Sequence, residues 1–168
     1  MMTVPLTIRL SEHGFWQENL GQQLISIAEE VGLSQQRLPT VLFSISEEVL
    51  IKQPERGMKQ IEALQSLGMG VVIHHFGLGR LSLQWLYRFQ PMRVELDVEL
   101  FHCIEKAHGR EKVVKAILCM ARELGIEIVA NGVEEGVVYQ FLQQQEVIGM
   151  GGSLMPPISL QQFQQLQP

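Results

Sequence analysis

Cysteine is scarce in this chain, which has only Cys103 and Cys119 among its 168 residues. Their spacing matches neither a zinc-binding pair nor a disulfide framework, so we interpret both as free thiols in a reducing compartment. The chain also lacks any apolar run near the roughly 20 residues that a membrane-spanning helix requires. Its first residues contain no charged region followed by a long apolar stretch. These absences predict a cytoplasmic protein without a membrane span.

Positive charge is neither abundant nor clustered. The 13 Lys and Arg residues are scattered and are outnumbered by 18 Asp and Glu residues, which gives a net charge of −5. Because a nucleic-acid interface needs a basic patch, we expect no direct nucleic-acid partner. With 46% hydrophobic residues the chain is long enough to bury a sizeable core. We see no linker or internal repeat, and therefore predict a single domain over residues 1–168.

Short β-rich segments alternate with helical segments along the whole chain, which is typical of βα units around a parallel sheet. The predicted strands cover residues 4–10, 40–45, 70–75, 93–96, 127–130 and, more weakly, 148–153. The predicted helices cover residues 15–31, 113–124, 134–145 and 160–166, with another between Pro54 and Gly68. We expect the first helix to cover the sheet with one apolar stripe. This stripe consists of Leu20, Leu24, Ile27, Ala28 and Val31.

Successive strands begin about 20 to 40 residues apart, the repeat length of a (β/α) barrel, whose functional residues lie at the C-terminal ends of its strands. The segments at these strand ends are, in chain order, Ile8-Arg9-Leu10-Ser11, Phe43-Ser44-Ile45-Ser46-Glu47-Glu48, His74-His75-Phe76-Gly77-Leu78-Gly79, Val94-Glu95-Leu96-Asp97, Val129-Ala130-Asn131-Gly132-Val133-Glu134 and Met150-Gly151-Gly152-Ser153-Leu154.

These segments resemble, in the same order, six motifs of the EAL-domain phosphodiesterases, which hydrolyse cyclic di-GMP with metal-activated water. The family motifs are Val-Asn-Leu-Ser, Leu-Glu-Ile-Thr-Glu-Ser, Asp-Asp-Phe-Gly-x-Gly, Leu-Lys-Ile-Asp, Val-Ala-Glu-Gly-Val-Glu and Gln-Gly-Tyr-Leu-Phe. The resemblance covers nearly the whole chain and implies an α/β fold of the TIM type.

The namesake Glu-Ala-Leu-x-Arg motif of the family would lie before Val4, where this chain has no counterpart. The resemblance therefore implies an incomplete TIM-type (β/α) barrel of about six parallel strands that lacks the first strands of the EAL barrel. An open parallel edge leaves peptide donors and acceptors unpaired. We therefore expect either a fragment of a longer protein or a truncated domain, and we predict a homodimer.

Two-metal hydrolysis needs several oxygen ligands around hard cations such as Mg²⁺. The family's metal-binding and catalytic positions correspond here to Arg9, Ser44, His74, His75, Glu95 and Asn131. Arg9 replaces an asparagine ligand, Ser44 a glutamate ligand, and His74 and His75 the two aspartates. Glu95 and Asn131 replace a lysine associated with the nucleophilic water and a glutamate essential for turnover. The resemblance then implies a degenerate site, so we expect no catalytic residue, no metal, no cofactor and no enzyme activity.

The framework of the family's site is retained at Glu47, Asp97, Glu134, Gly77 and Gly79. In the family, the residue corresponding to Glu47 holds the loop after the double-aspartate strand, and that loop contributes to dimer contacts. The resemblance therefore implies scaffold roles for these residues.

The two histidines and the two exchanged charges each allow a second interpretation. His74 and His75 would suit a softer metal such as Zn²⁺, but adjacent strand residues point to opposite faces, so only one is expected to face the mouth of the barrel. Ordinary hydrogen-bonded histidines are the simpler interpretation. Arg9 and Glu95 are predicted either to pair across the former site and plug it, or to be two solvated charges.

The favoured function is a catalytically inactive EAL-like regulatory domain that acts through protein–protein interaction in bacterial control of motility, biofilm or RNA turnover. One alternative is a cyclic di-GMP receptor that does not hydrolyse its ligand. Nucleotide binding is considered doubtful because phosphate recognition favours positive or metal-bound groups, which Glu95 and the absent upstream arginine remove. A third alternative, a metal-dependent cyclic di-GMP phosphodiesterase, would require new ligands.

Overall fold

The computed structural model describes residues 5–77, 82–101, 109–145, 147–154 and 156–165. Six strands form one parallel sheet in which each strand lies beside its neighbour in sequence. They are β1 (Leu6–Arg9), β2 (Val41–Ser46), β3 (Gly70–Phe76), β4 (Arg93–Leu96), β5 (Glu127–Ala130) and β6 (Gly149–Met150). The sheet curls into part of a barrel, which confirms the predicted incomplete TIM-type fold.

Helices connect the strands and cover the convex side of the sheet. They are α1 (Glu12–Phe15), α2 (Leu20–Glu30), α3 (Glu47–Lys52), α4 (Pro54–Ser66), α5 (Leu83–Phe89), α6 (Arg110–Glu123), α7 (Gly136–Gln143) and α8 (Leu160–Gln165). Short 3-10 helices occupy Gln35–Thr40 and Val98–Leu100. Local sequence sets several ends: Pro54 begins α4, where its missing N–H costs nothing, and Gly68 follows its end with a φ of +79°.

The predicted helix over residues 15–31 is two helices in the structure. Helix α1 ends at Phe15, and α2 begins at Leu20 after Asn19, whose φ of +60° is left-handed. A right-handed helix cannot run through a left-handed residue, so the chain turns at this point. Phe15 is nevertheless completely buried, because the turn directs it into the core.

The apolar core lies between the sheet and the helices. Alternate strand residues, such as Phe43 and Ile45 of β2, pack there against helix residues such as Leu50 and Ile61. Each fully buried side chain of this size contributes on the order of 1.5 to 3 kcal/mol to folding. The intervening residues of each strand face the concave side, where polar side chains predominate towards the strand ends.

Helix α2 is only partly covered. Gly21 packs against α4, since a Cβ at Gly21 would lie 2.7 Å from Cδ1 of Leu67. Successive residues turn by about 100° around a helix, so Ile27 and Val31 point roughly 80° to 120° away from that contact. Their exposed fractions are 53% and 73%. The prediction that the whole stripe covers the sheet is therefore wrong for these two residues.

Strand β1 also carries exposed apolar side chains. Strand β1 is the first in the sheet order and pairs only with β2. Its convex-side residues Leu6 and Ile8 are 59% and 41% exposed, because no described element packs over them. We call Leu6, Ile8, Ile27 and Val31 the edge patch.

Within the described part of the chain, no helix combines the length and the apolarity needed to cross a membrane.

Candidate functional site at the strand ends

The C-terminal ends of parallel strands meet at one edge of the sheet, which we call the mouth. The register places Arg9 of β1 beside Ser44 of β2, and Ser46 of β2 beside His74 of β3. Because side chains alternate along each strand, Arg9, Ser44 and His74 share the concave side. The register therefore brings these three positions together at the mouth.

Arg9 and Glu95 form an ion pair across the mouth. The Arg9 Nη2 donates to Glu95 Oε1 at 3.2 Å, although β2 and β3 lie between the two strands that carry these residues. The Arg9 side chain is 56% exposed and the Glu95 side chain 13%. The predicted pairing is thus confirmed, whereas the prediction that it plugs the site stays a prediction. An exposed pair of this kind contributes only about 0 to 1 kcal/mol.

His74 is buried without a protein partner for one ring nitrogen. Its residue exposure is 6%, and neither its Nδ1 nor the Oγ of Ser44 has a hydrogen bond with a described protein group. Burial has the largest effect on the pKa of His74, and together with the nearby Arg9 and His75 it lowers this pKa from 6.5 to about 4. The interpretation of both histidines as hydrogen-bonded is therefore wrong for this nitrogen.

His75 occupies a β-bulge at the end of β3. The β3–β4 register shifts between Ile73 and Phe76, and His75 has a left-handed φ of +56°. The centroids of the His74 and His75 rings are only 4.8 Å apart. The expectation that only one histidine faces the mouth is wrong, since the bulge replaces the regular alternation on which it depended.

Asp97 holds His75 in place. Its Oδ2 is 2.7 Å from Nδ1 of His75, while its Oδ1 accepts the backbone N–H of Glu99 at 2.9 Å. Asp97 is buried, with 8% exposure, and His75 is exposed. Asp97 therefore fixes one ring nitrogen of a histidine whose side chain is 54% exposed.

Glu47 connects the mouth to the segment after β3. It is the first residue of α3, it is 2% exposed, and its Oε2 accepts the N–H of Gly77 at 3.1 Å. Gly77 has a φ of +105°, and an added Cβ would overlap Leu100 Cδ1 at 2.4 Å. These contacts agree with a scaffold role for both residues, which stays a prediction. Gly79 lies outside the described residues.

Asn131 and Glu134 follow β5. Asn131 is partly buried, and its Oδ1 is 2.5 Å from where a Cβ on Gly151 would be. A larger residue at position 151 would require the Asn131 side chain to shift. Glu134 is exposed. No local pattern in the sequence indicates this packing, because it joins the ends of two different strands.

The predicted absence of a metal at the mouth stays a prediction. In the described ranges, no three His, Cys, Asp or Glu side chains are grouped to hold a metal ion. Arg9 supplies a positive charge, and the two imidazoles supply nitrogen, which suits zinc better than magnesium. The zinc alternative has two adjacent imidazoles but no third ligand among the described residues, and it stays a prediction.

Sequence reasoning missed a cavity at the opposite end of the sheet. It measures about 750 Å³ and lies between helices at the N-terminal ends of β3, β4 and β5, with Tyr87, Met92 and Glu123 among its lining residues. No pattern in the sequence indicates it, because its walls come from separate helix ends and loops.

The family model of the EAL domain matches residues 2–157, and the chain belongs to this family. Among its relatives is the blue light- and temperature-regulated antirepressor BluF of Escherichia coli K12, 31% identical over 100 residues. That match covers 60% of this chain and 25% of BluF. The cyclic di-GMP phosphodiesterase PdeR of the same organism is 29% identical over 118 residues, which cover 68% of this chain and 18% of PdeR. The chain thus spans a quarter or less of these relatives.

Two solved structures illustrate the likeness of the fold. The PaMucR phosphodiesterase in complex with c-di-GMP superposes with a TM-score of 0.85 at 22% identity, covering 95% of this chain and 64% of that one. The calcium and cy-diGMP complex of Klebsiella pneumoniae BlrP1 gives a TM-score of 0.79 at 28% identity, with 89% and 38% covered.

These comparisons correct two expectations. The expectation that the chain is not an enzyme is wrong at the level of its family, because the relatives include the cyclic di-GMP phosphodiesterases PdeR and NbdA. The doubt about nucleotide binding is not supported either, since the related BlrP1 structure contains the cyclic dinucleotide. The chain is therefore an EAL domain related to cyclic di-GMP signalling proteins, some of which are phosphodiesterases.

Proposed function

We propose that this chain is a regulatory EAL module in cyclic di-GMP signalling that acts by contact with another protein through its edge patch. One observation carries the proposal: four large apolar side chains, Leu6, Ile8, Ile27 and Val31, are substantially exposed at the open β1 edge. Scattered exposed apolar residues are normal, but several of them on an edge strand and on the next long helix are typical of an interaction site.

The backbone of β1 supports a protein as the ligand of this surface. An edge strand presents peptide N–H and C=O groups in a row, and another polypeptide backbone matches such a row. A net charge of −5 makes an anionic membrane surface a poor alternative. The Arg9–Glu95 pair agrees with the proposal, because it satisfies two charges at the mouth.

The test measures motility and biofilm formation in two sets of bacteria. One set carries the gene with its wild-type sequence, and the other carries it with substitutions in the edge patch. Ile27→Glu combined with Val31→Glu places two charges in the edge patch, and we expect loss of the effect on motility or biofilm formation. Val113→Glu is the matched control, because Val113 is 54% exposed on α6, away from β1. Immunoblots establish equal protein amounts. Regulation by the double variant at the wild-type level would rule out the edge patch as the acting surface.

A second candidate function is cyclic di-GMP binding at the mouth. The observation that favours it is the Arg9 guanidinium, which remains 56% exposed on the concave side despite its pairing with Glu95. Arginine is well suited to phosphate recognition. The test is a calorimetric titration with cyclic di-GMP in the presence of Mg²⁺ and Mn²⁺, followed by product analysis.

Loss of binding in Arg9→Ala, with binding retained in Arg37→Ala, would support the receptor function. Arg37 is an exposed arginine in a 3-10 helix away from the mouth. A linear dinucleotide product would instead show phosphodiesterase activity, and absence of binding would remove this candidate.

A further inference from the structure

We infer that the cavity at the N-terminal ends of β3, β4 and β5 binds an organic cation, namely a primary amine or a guanidine that carries an apolar body. We call this space the basal cavity. Its volume of about 750 Å³ is in the range of sites that hold small molecules. The inference is independent of the edge patch and of the mouth, because the basal cavity lies at the opposite end of the sheet from the mouth.

Three helices end at the basal cavity. The lining includes residues at or just after the C-terminal ends of α4, α5 and α6, in that order Gln65 and Gly68, Gln90 and Pro91, and Glu123 and Leu124. The C-terminal end of a helix carries a partial negative charge of about half an elementary charge. Helices α4 and α6 have 13 and 14 residues, so each has several aligned turns behind its end. The backbone therefore creates a negative potential here that favours a positive group.

The charged side chains of the cavity have the same sign. Among the described lining residues, Glu123 and Glu127 are acidic, and none is Lys, Arg or His. Glu127 Oε2 accepts both Nε of Arg93 at 3.1 Å and its Nη2 at 2.7 Å, while Glu127 Oε1 accepts no hydrogen bond from a described group. Glu123 has no ion-pair or hydrogen-bond partner for its carboxylate within the described part of the chain. The cavity thus keeps a negative charge that the fold does not neutralise.

The neutral polar groups of the cavity are mostly acceptors. Gln65 Nε2 donates to the carbonyls of Phe89 and Gln90 at 3.2 and 3.0 Å, which fixes the amide and leaves its Oε1 without a described donor. Backbone N–H groups around the cavity already donate to backbone carbonyls at Gly68, Met69, Met92, Gly125, Ile126 and Glu127. A ligand therefore meets acceptors and few available donors. This disfavours an anion and favours an ammonium or guanidinium group, which carries three or five N–H donors and no acceptor.

Much of the remaining wall is apolar. The buried apolar side chains of the lining are Met69, Val71, Leu86 and Ile126. Tyr87 and Met92 also line the cavity and are 62% and 44% exposed, so both are accessible to a ligand. An aromatic face attracts a cation, and methionine adapts to apolar groups of different shapes. A bare metal ion would leave this apolar wall unused, whereas a cation with an apolar body matches both kinds of surface.

Methionine methyl NMR on the full chain tests both the site and the class of ligand. The protein is titrated with phenethylamine, phenethyl alcohol and 3-phenylpropionate, which share a phenyl ring and are cationic, neutral and anionic at neutral pH. Met69 and Met92 line the basal cavity, whereas Met150 ends β6 at the mouth and is the internal control. We expect saturable shifts of Met69 and Met92 with phenethylamine, no shift of Met150, and binding of the alcohol and the carboxylate that is at least about tenfold weaker.

Two matched variants test the contribution of the acidic lining. Glu123→Gln removes one charge from the cavity at almost constant size, and we expect about fivefold weaker binding of phenethylamine with unchanged binding of phenethyl alcohol. Glu111→Gln removes the same charge from an exposed position at the other end of α6 and should bind phenethylamine as the wild type does. This control accounts for the general attraction of an amine to a chain of net charge −5. Circular dichroism melts verify that each variant is folded.

Three results would overturn the inference. Equal affinity of the wild type for phenethylamine and phenethyl alcohol would overturn the cationic class of ligand. Equal weakening by Glu123→Gln and Glu111→Gln would assign the effect to net charge and not to the cavity. The absence of saturable shifts at Met69 and Met92 would overturn the basal cavity as the site. The proposed function can fail separately, because regulation by the double variant of Ile27 and Val31 is measured in cells and does not involve this cavity.

Discussion

Acidification is expected to destabilise the folded chain through His74. This residue is buried at the mouth beside Arg9 and His75, and its pKa falls from 6.5 to about 4. The folded state therefore holds the neutral ring, whereas the unfolded chain binds a proton near pH 6.5. Below that pH, proton uptake favours unfolding, so the stability associated with neutral His74 is complete above pH 6.5 and is lost as the pH falls to about 4.

The size of the effect follows from the pKa difference. One proton taken up on unfolding changes the free energy of unfolding by about 1.4 kcal/mol per pH unit, and the full shift corresponds to about 3 kcal/mol. Other groups also titrate in this range. The quantity to measure is therefore the difference between the wild type and His74→Gln, which removes only this proton site.

Urea unfolding at pH 7, 6, 5 and about 4 provides the free energies. We expect the stability of the wild type to decline more steeply than that of His74→Gln, with the difference changing by about 3 kcal/mol over the series. His13→Gln, which removes an exposed histidine of α1, should decline in parallel with the wild type. Parallel curves for the wild type and His74→Gln would refute the assignment of this pH dependence to His74.

Three further outcomes concern the fold and the mouth. Gly77→Ala should lower the free energy of unfolding by about 2 kcal/mol, because φ at this position is +105° and the added Cβ meets the Leu100 side chain. The control Gly136→Ala has open space around the added Cβ. It should change the free energy of unfolding by less than about 0.5 kcal/mol in the same urea assay. Leu50→Ala should cost about 2 to 5 kcal/mol, visible as a lower Tm, because this side chain is completely buried. Arg9→Ala should raise the pKa of His74 in an NMR titration, since the Arg9 charge contributes to lowering it; an unchanged pKa would contradict the proximity of the two groups.

The strands of this fold were predictable because their signals are local. The predicted strands over residues 93–96 and 127–130 have the observed bounds, since each is a short segment with β-branched residues between turns. The pairing of Arg9 with Glu95 was also predictable, because parallel strands bring their C-terminal ends together. Sequence reasoning overestimated β6, which has two residues where six were expected over 148–153.

The errors concern features that depend on neighbours in space. Ile27 and Val31 fit an amphipathic pattern, but a stripe is buried only where another element packs on it. The two histidines were expected to alternate, and a bulge at His75 brings their rings together instead. Helix α3 was not predicted, because it follows β2 without a loop and is too short to show a period.

The separation of the core from the mouth makes this chain a suitable scaffold for building metal sites. The apolar residues that stabilise the fold are on the convex side, while the mouth is a polar layer at the strand ends. Substituting Arg9→Asn, His74→Asp and His75→Asp singly and together would add oxygen ligands in steps to an otherwise unchanged framework. Metal affinity measured at each step would then give the number of ligands at which a divalent cation begins to bind.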